Sequence, residues 1–119
     1  MTGIPLALLV GALLAAPGLA AAHSLLLESS PAAGATLPAG PHPVSLRFNN
    51  RIEKRLSRLR VLDQRGAERP LVVDAAAGEA DRLVAALPAL PPGTYRLQWQ
   101  VLSTDGHIVS GSFTFRLAP

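Results

Sequence analysis

The sequence predicts an all-β domain, an antiparallel sandwich of about seven strands, behind a short apolar leader. Three observations lead there. Apolar and polar residues alternate in short runs, the period of a half-buried strand. Clusters of Pro and Gly separate those runs at the spacing of sandwich turns. No helical periodicity persists over a useful window after the leader.

Residues 25–27 open the domain. Val44, Leu46 and Phe48 then alternate with Ser45, Arg47 and Asn49. Leu59 and Val61 alternate with Arg58, Arg60 and Leu62, and residues 71–73 read as a short strand. Leu83, Ala85 and Leu87 continue the pattern. The longest run sets Tyr95, Leu97, Trp99 and Val101 against Arg96, Gln98 and Gln100. Phe113, Phe115 and Leu117 close the series. Each run places its apolar members on one face. The separators carry turn chemistry: Pro31-Ala32-Ala33-Gly34, residues 38–43, a hairpin turn at Asp63-Gln64-Arg65-Gly66, and residues 88–93 before the longest strand. Residues 52–59 read as a loop or short turn, because Ile52, Arg55 and Leu56 share one side of a helical turn.

Residues 1–27 contain no charged side chain, whereas all eleven basic and eight acidic residues follow. The leader has the layout of a secretory signal peptide. Its apolar stretch, residues 6–16, matches an h-region of roughly 7–15 residues. Pro17 and Gly18 interrupt it, and Ala20-Ala21-Ala22 supplies the small-x-small cleavage pattern. The n-region, residues 1–5, departs from the pattern in having no Lys or Arg. Cleavage after Ala22 leaves residues 1–22 as signal and residues 23–119 as one exported domain, with His23 as its first residue.

The absence of Cys excludes disulfides and thiolate metal sites, the blue-copper type included. Ten of the eleven basic residues are Arg, and the densest run is Arg51, Lys54, Arg55, Arg58 and Arg60. With no aromatics interleaved, that run reads as a solvated face and not a nucleic-acid surface.

The three histidines differ in setting. His42 lies between Pro41 and Pro43 and reads as an exposed loop residue. His23, as a terminal residue, offers its α-amine and its imidazole Nδ1 to one ion. A chain-terminal amine ordinarily titrates at about pH 7.7–8.0, so a metal displaces its proton near neutral pH. His107 sits in Ser103-Thr104-Asp105-Gly106-His107. On an extended segment, residues i and i+2 point the same way, so a carboxylate and an imidazole converge, with Gly106 relaxing the backbone between them. Alone, the pair reads more readily as a turn in which Asp105 caps backbone amides and His107 is partly exposed. Together with His23 it gives a set of amine, two imidazoles and one carboxylate, which suits one Cu(II) ion in a roughly square plane. Cu(I) prefers thiolate or thioether donors, and the only Met is Met1.

The mature chain resembles the CopC family of periplasmic copper-binding proteins. The matching stretches are His-Ser-Leu at 23–25, Ser-Ser-Pro-Ala at 29–32, Val-Ser-Leu-Arg-Phe at 44–48, Leu-Pro-Pro-Gly-Thr-Tyr-Arg-Leu-Gln-Trp at 90–99, Ser-Thr-Asp-Gly-His at 103–107 and Gly-Ser-Phe-Thr-Phe at 111–115. The resemblance implies a seven-stranded Greek-key β-sandwich or barrel of immunoglobulin-like or cupredoxin-like topology. It also implies a monomer that holds Cu(II) through His23, Asp105 and His107. Its role would be copper resistance or homeostasis, beside an inner-membrane partner of the CopD type. Two departures stand out. Asn50 replaces a Glu that many relatives carry near the copper, and the Met-rich Cu(I) loop of some relatives is missing.

Two other readings compete. A terminal histidine with a second histidine also resembles the copper brace of lytic polysaccharide monooxygenases. A metal-free immunoglobulin-like interaction domain fits the strand pattern as well. Asp105 beside the metal and the scarcity of aromatics favour a binding protein over an enzyme.

Overall fold

The computed structural model describes residues 25–119. The leader and its cleavage site, like His23, lie outside the described residues. Two sheets form a sandwich. One has three strands in the order β1 (Leu26–Ser30), β3 (His42–Phe48), β6 (Arg82–Leu87). The other has five, in the order β2 (Thr36–Leu37), β8 (Ile108–Leu117), β7 (Gly93–Leu102), β4 (Arg58–Leu62), β5 (Glu68–Leu71). All named pairings are antiparallel except β2 with β8. The connections β3–β4, β5–β6 and β6–β7 cross between the sheets, as Greek-key connections do. A 3-10 turn, Lys54–Leu56, stands where a loop or short turn was expected.

The alternation read from the sequence is the core. Val44, Leu46, Phe48, Leu59, Val61, Leu83, Leu97, Val101, Phe115 and Leu117 are each at most 3% exposed. Their polar neighbours face outward, so one face of each sheet is buried and the other solvated. Trp99 packs edge-on to Phe48 and tilted against Phe113, with ring centroids 6.4 and 5.8 Å apart. It lies across Gly111, its directly opposed neighbour in the β7–β8 ladder, so closely that a Cβ there would fall inside the indole. Tyr95 donates its hydroxyl hydrogen to the Pro91 carbonyl at 2.6 Å. It thereby fixes the corner that enters β7, as the tyrosine corner of β-sandwiches does.

Two strands differ from expectation. The strand expected at 71–73 runs instead from Glu68 to Leu71, and Val73 makes only an isolated bridge to Ala85. The Asp63 carboxylate accepts the Arg65 and Ala67 N–H groups, at 2.8 and 3.0 Å. The hairpin therefore closes tightly and pairing resumes at once. β5 is an edge strand, where Pro70 and charged residues are tolerated. The second difference is β2, a two-residue addition to the β8 edge from a stretch read as loop.

Candidate metal site

The turn between β7 and β8 is built by its own backbone. The Ser103 N–H donates to the His107 carbonyl at 2.8 Å, and the Gly106 N–H to the Ser103 carbonyl at 2.9 Å. Gly106 has φ +92°, a conformation that costs a residue with a Cβ. Residues 103–107 are thus a turn and not an extended segment. Asp105 and His107 still meet, but through turn geometry rather than strand alternation. Asp105 Oδ1 lies 3.2 Å from His107 Nδ1 and accepts the His107 backbone N–H at 3.3 Å. Both side chains are about half exposed, at 48% and 55%. Asp105 therefore caps the turn and lies beside the His107 ring.

A second segment ties this turn to the start of the described chain. Leu25 donates its N–H to the Asn49 side-chain oxygen at 2.7 Å, and its carbonyl accepts the Asn49 N–H at 3.0 Å. One residue thus holds both backbone groups of Leu25. Past half-buried Asn50, the Arg51 carbonyl accepts the Thr104 N–H at 3.2 Å, and Ile52 bridges to Ser103. The Glu53 N–H adds a bond of 2.8 Å to the Leu102 carbonyl. Residues 49–53 therefore form a strap, gripping Leu25 at one end and the Asp105–His107 turn at the other. Sequence reasoning passed over Asn49. Its only signal was a polar residue directly after a strand, a pattern that also marks ordinary turns.

His42 lies elsewhere. It is the first residue of β3, half-buried, and its Nε2 is 2.7 Å from the Pro38 carbonyl. Phe48, at the other end of β3, adjoins the strap, and a seven-residue strand spans about 20 Å. His42 is thus neither a loop residue nor within reach of His107. Among the described residues, no group of three or more His, Asp or Glu side chains converges as a metal site. Of the three residues expected from the sequence to hold an ion, Asp105 and His107 lie within the described chain, side by side.

The profile of the CopC domain family matches residues 26–118. Copper resistance protein C of Xanthomonas campestris pv. juglandis is 39% identical over 101 residues, 79% of each chain. Copper resistance protein C of Pseudomonas syringae pv. tomato is 34% identical over 106 residues, 83% of each chain. Among solved structures, CopC from Methylosinus trichosporium OB3b superposes with a TM-score of 0.73 at 35% identity, covering 82% of this chain and 95% of that one.

Proposed function

From the premise that this chain belongs to the CopC family, we propose that it is an exported Cu(II) carrier or buffer. The ion is its cargo, held one per chain by His23, Asp105 and His107. The observation that carries this reading is the strap of residues 49–53. It ties Leu25 and the Asp105–His107 turn to one rim of the sandwich. His23 is two residues before Leu25, and two residues reach at most about 7 Å. The proposed site asks the terminal amine and imidazole to meet Asp105 and His107 across that tether.

The donor chemistry fits the cargo. Two imidazoles, an amine and a carboxylate are nitrogen and oxygen ligands, which favour Cu(II) at the top of the divalent affinity series. Half-exposed ligands on a rim allow entry and release, as a carrier needs. Asp105 Oδ1 lies 3.2 Å from His107 Nδ1, so the two proposed donors stand side by side. Asn50 stands on the strap where many family members have a carboxylate. It brings no charge, so water or the Asn50 amide completes the coordination. The leader directs the chain to the periplasm, where it works beside an inner-membrane transporter of the CopD type in copper resistance or homeostasis. No catalytic step is assigned to the site.

Titration of the mature protein with Cu(II), followed by electron paramagnetic resonance, tests the reading. One equivalent should give a single type-2 signal with nitrogen hyperfine structure. The double variant Asp105→Ala/His107→Ala should lose it. An unchanged signal in that variant refutes the assignment.

A further inference from the structure

The outer face of the five-stranded sheet holds a groove of about 850 Å³ that the copper reading does not use. Two cross-strand rows run through it. Arg58 pairs with Gln100, and Gln100 with Ser110; Arg60 pairs with Gln98, and Gln98 with Ser112. These residues alternate with the core positions of β4, β7 and β8, so their side chains stand on the solvent side. The 3-10 turn adds Lys54 and Arg55, and β5 adds Glu68 and Pro70.

Charge makes this groove unlike the rest of the molecule. Four of the eleven basic side chains line it, with one of the eight acidic ones. That is a charge of +3, the formal net charge of the whole chain. The seven basic and seven acidic side chains elsewhere cancel. On the outer face of the three-stranded sheet, by contrast, Arg47 pairs with Glu28 and Arg82 is held by the Ser45 hydroxyl. In the groove, Glu68 takes up only Arg60, at 3.0 Å, and Gln98 holds the same guanidinium at 2.9 Å. Lys54 is held by the carbonyls of Ala77 and Gly78, which leave its charge uncompensated. Arg55 and Arg58 are exposed.

We propose that this groove docks an extended, acidic segment of a partner protein. The Arg guanidinium groups match carboxylates in geometry and charge. Gln and Ser along the rows supply further hydrogen-bond donors. Pro70 and Val73 add apolar contacts along its wall. A concave channel accommodates a polypeptide strand, whereas a planar lipid surface meets only its walls. The aromatic residue of the lining, Trp99, packs its ring on Phe48 and Phe113 on the core side, so the rows present no ring on which a base would stack. Beyond Gln100 and Ser110 the ladder continues to Leu102 and Ile108 and then to the Asp105–His107 turn. A docked segment therefore lies beside the rim of the sandwich that carries that turn.

The test uses the mature protein and a fluorescein-labelled oligoglutamate peptide, with anisotropy as the readout. Binding at low ionic strength should weaken about tenfold or more as salt rises to about 0.3 M. The variant Arg55→Glu/Arg58→Glu should abolish it, and Arg55→Gln/Arg58→Gln should weaken it with the fold intact by circular dichroism. Arg65→Glu/Arg116→Glu makes the same change in net charge outside the groove and should leave most of the binding. Three results overturn the proposal: no peptide binding at low salt, equal loss in the two charge-reversal pairs, or binding to phosphatidylglycerol vesicles without binding to the peptide.

Discussion

His42 and His107 stand at opposite ends of the same sandwich, and the contrast between them shows how differently one fold can hold two histidines. His42 is half-buried and commits its Nε2 to the Pro38 carbonyl. His107 is about half exposed on a turn, beside the Asp105 carboxylate. The His42 end is closed by Pro-rich loop and strand pairing. The His107 end is gathered by the strap of residues 49–53, which reaches both the chain at Leu25 and the turn at Thr104. Residue type alone does not separate the two; the partner of each ring does.

That contrast can be broken in graded steps. His107→Ala should weaken Cu(II) binding by more than about 100-fold, since even outer-shell partners of metal ligands are worth about 10–100-fold. Competition titration against a chelator of known affinity measures it. Gly111→Ala acts on the core between the ends. It pushes a Cβ into the Trp99 indole and should cost about 2 kcal/mol, lowering Tm by about 10 °C. Copper affinity below the transition should stay unchanged, because neither the strap nor the turn is touched. Asn49→Ala removes the acceptor of the Leu25 N–H and should weaken Cu(II) about tenfold while leaving the resonance spectrum at saturation intact. Asn49→Asp, which keeps the acceptor, should recover most of the loss. The smallest effect belongs to the other end. His42→Ala should cost about 1 kcal/mol in denaturant unfolding through the lost bond to Pro38 and leave copper binding as it was.

The alternating runs made most of the fold legible, because a period of two over five or more residues has few other physical meanings. β5 was misplaced by three residues. Glu68, Arg69 and Pro70 carry no apolar alternation, and an edge strand needs none. β2 left no local signal, since its pairing depends on where β8 ends in space. At the site, the Asp-Gly-His spacing revealed the pair but misidentified its cause: Gly106 bends the chain into a turn instead of merely loosening a strand. Asn49 was invisible because its partner is 24 residues away in sequence. The basic run 54–60 was legible as charge. That it walls a groove was not, because Gln98, Gln100, Ser110 and Ser112 come from strands far along the chain.

A chain-terminal first ligand makes copper binding depend on where the mature chain begins. Cu(II) is titrated into the domain beginning at His23 and into the same domain carrying one extra Ala before His23, with electron paramagnetic resonance and chelator competition on both. The extended chain should lose the amine donor, bind more than about 100-fold more weakly and show a changed spectrum. Equal affinity with the same spectrum would contradict a chain-terminal ligand.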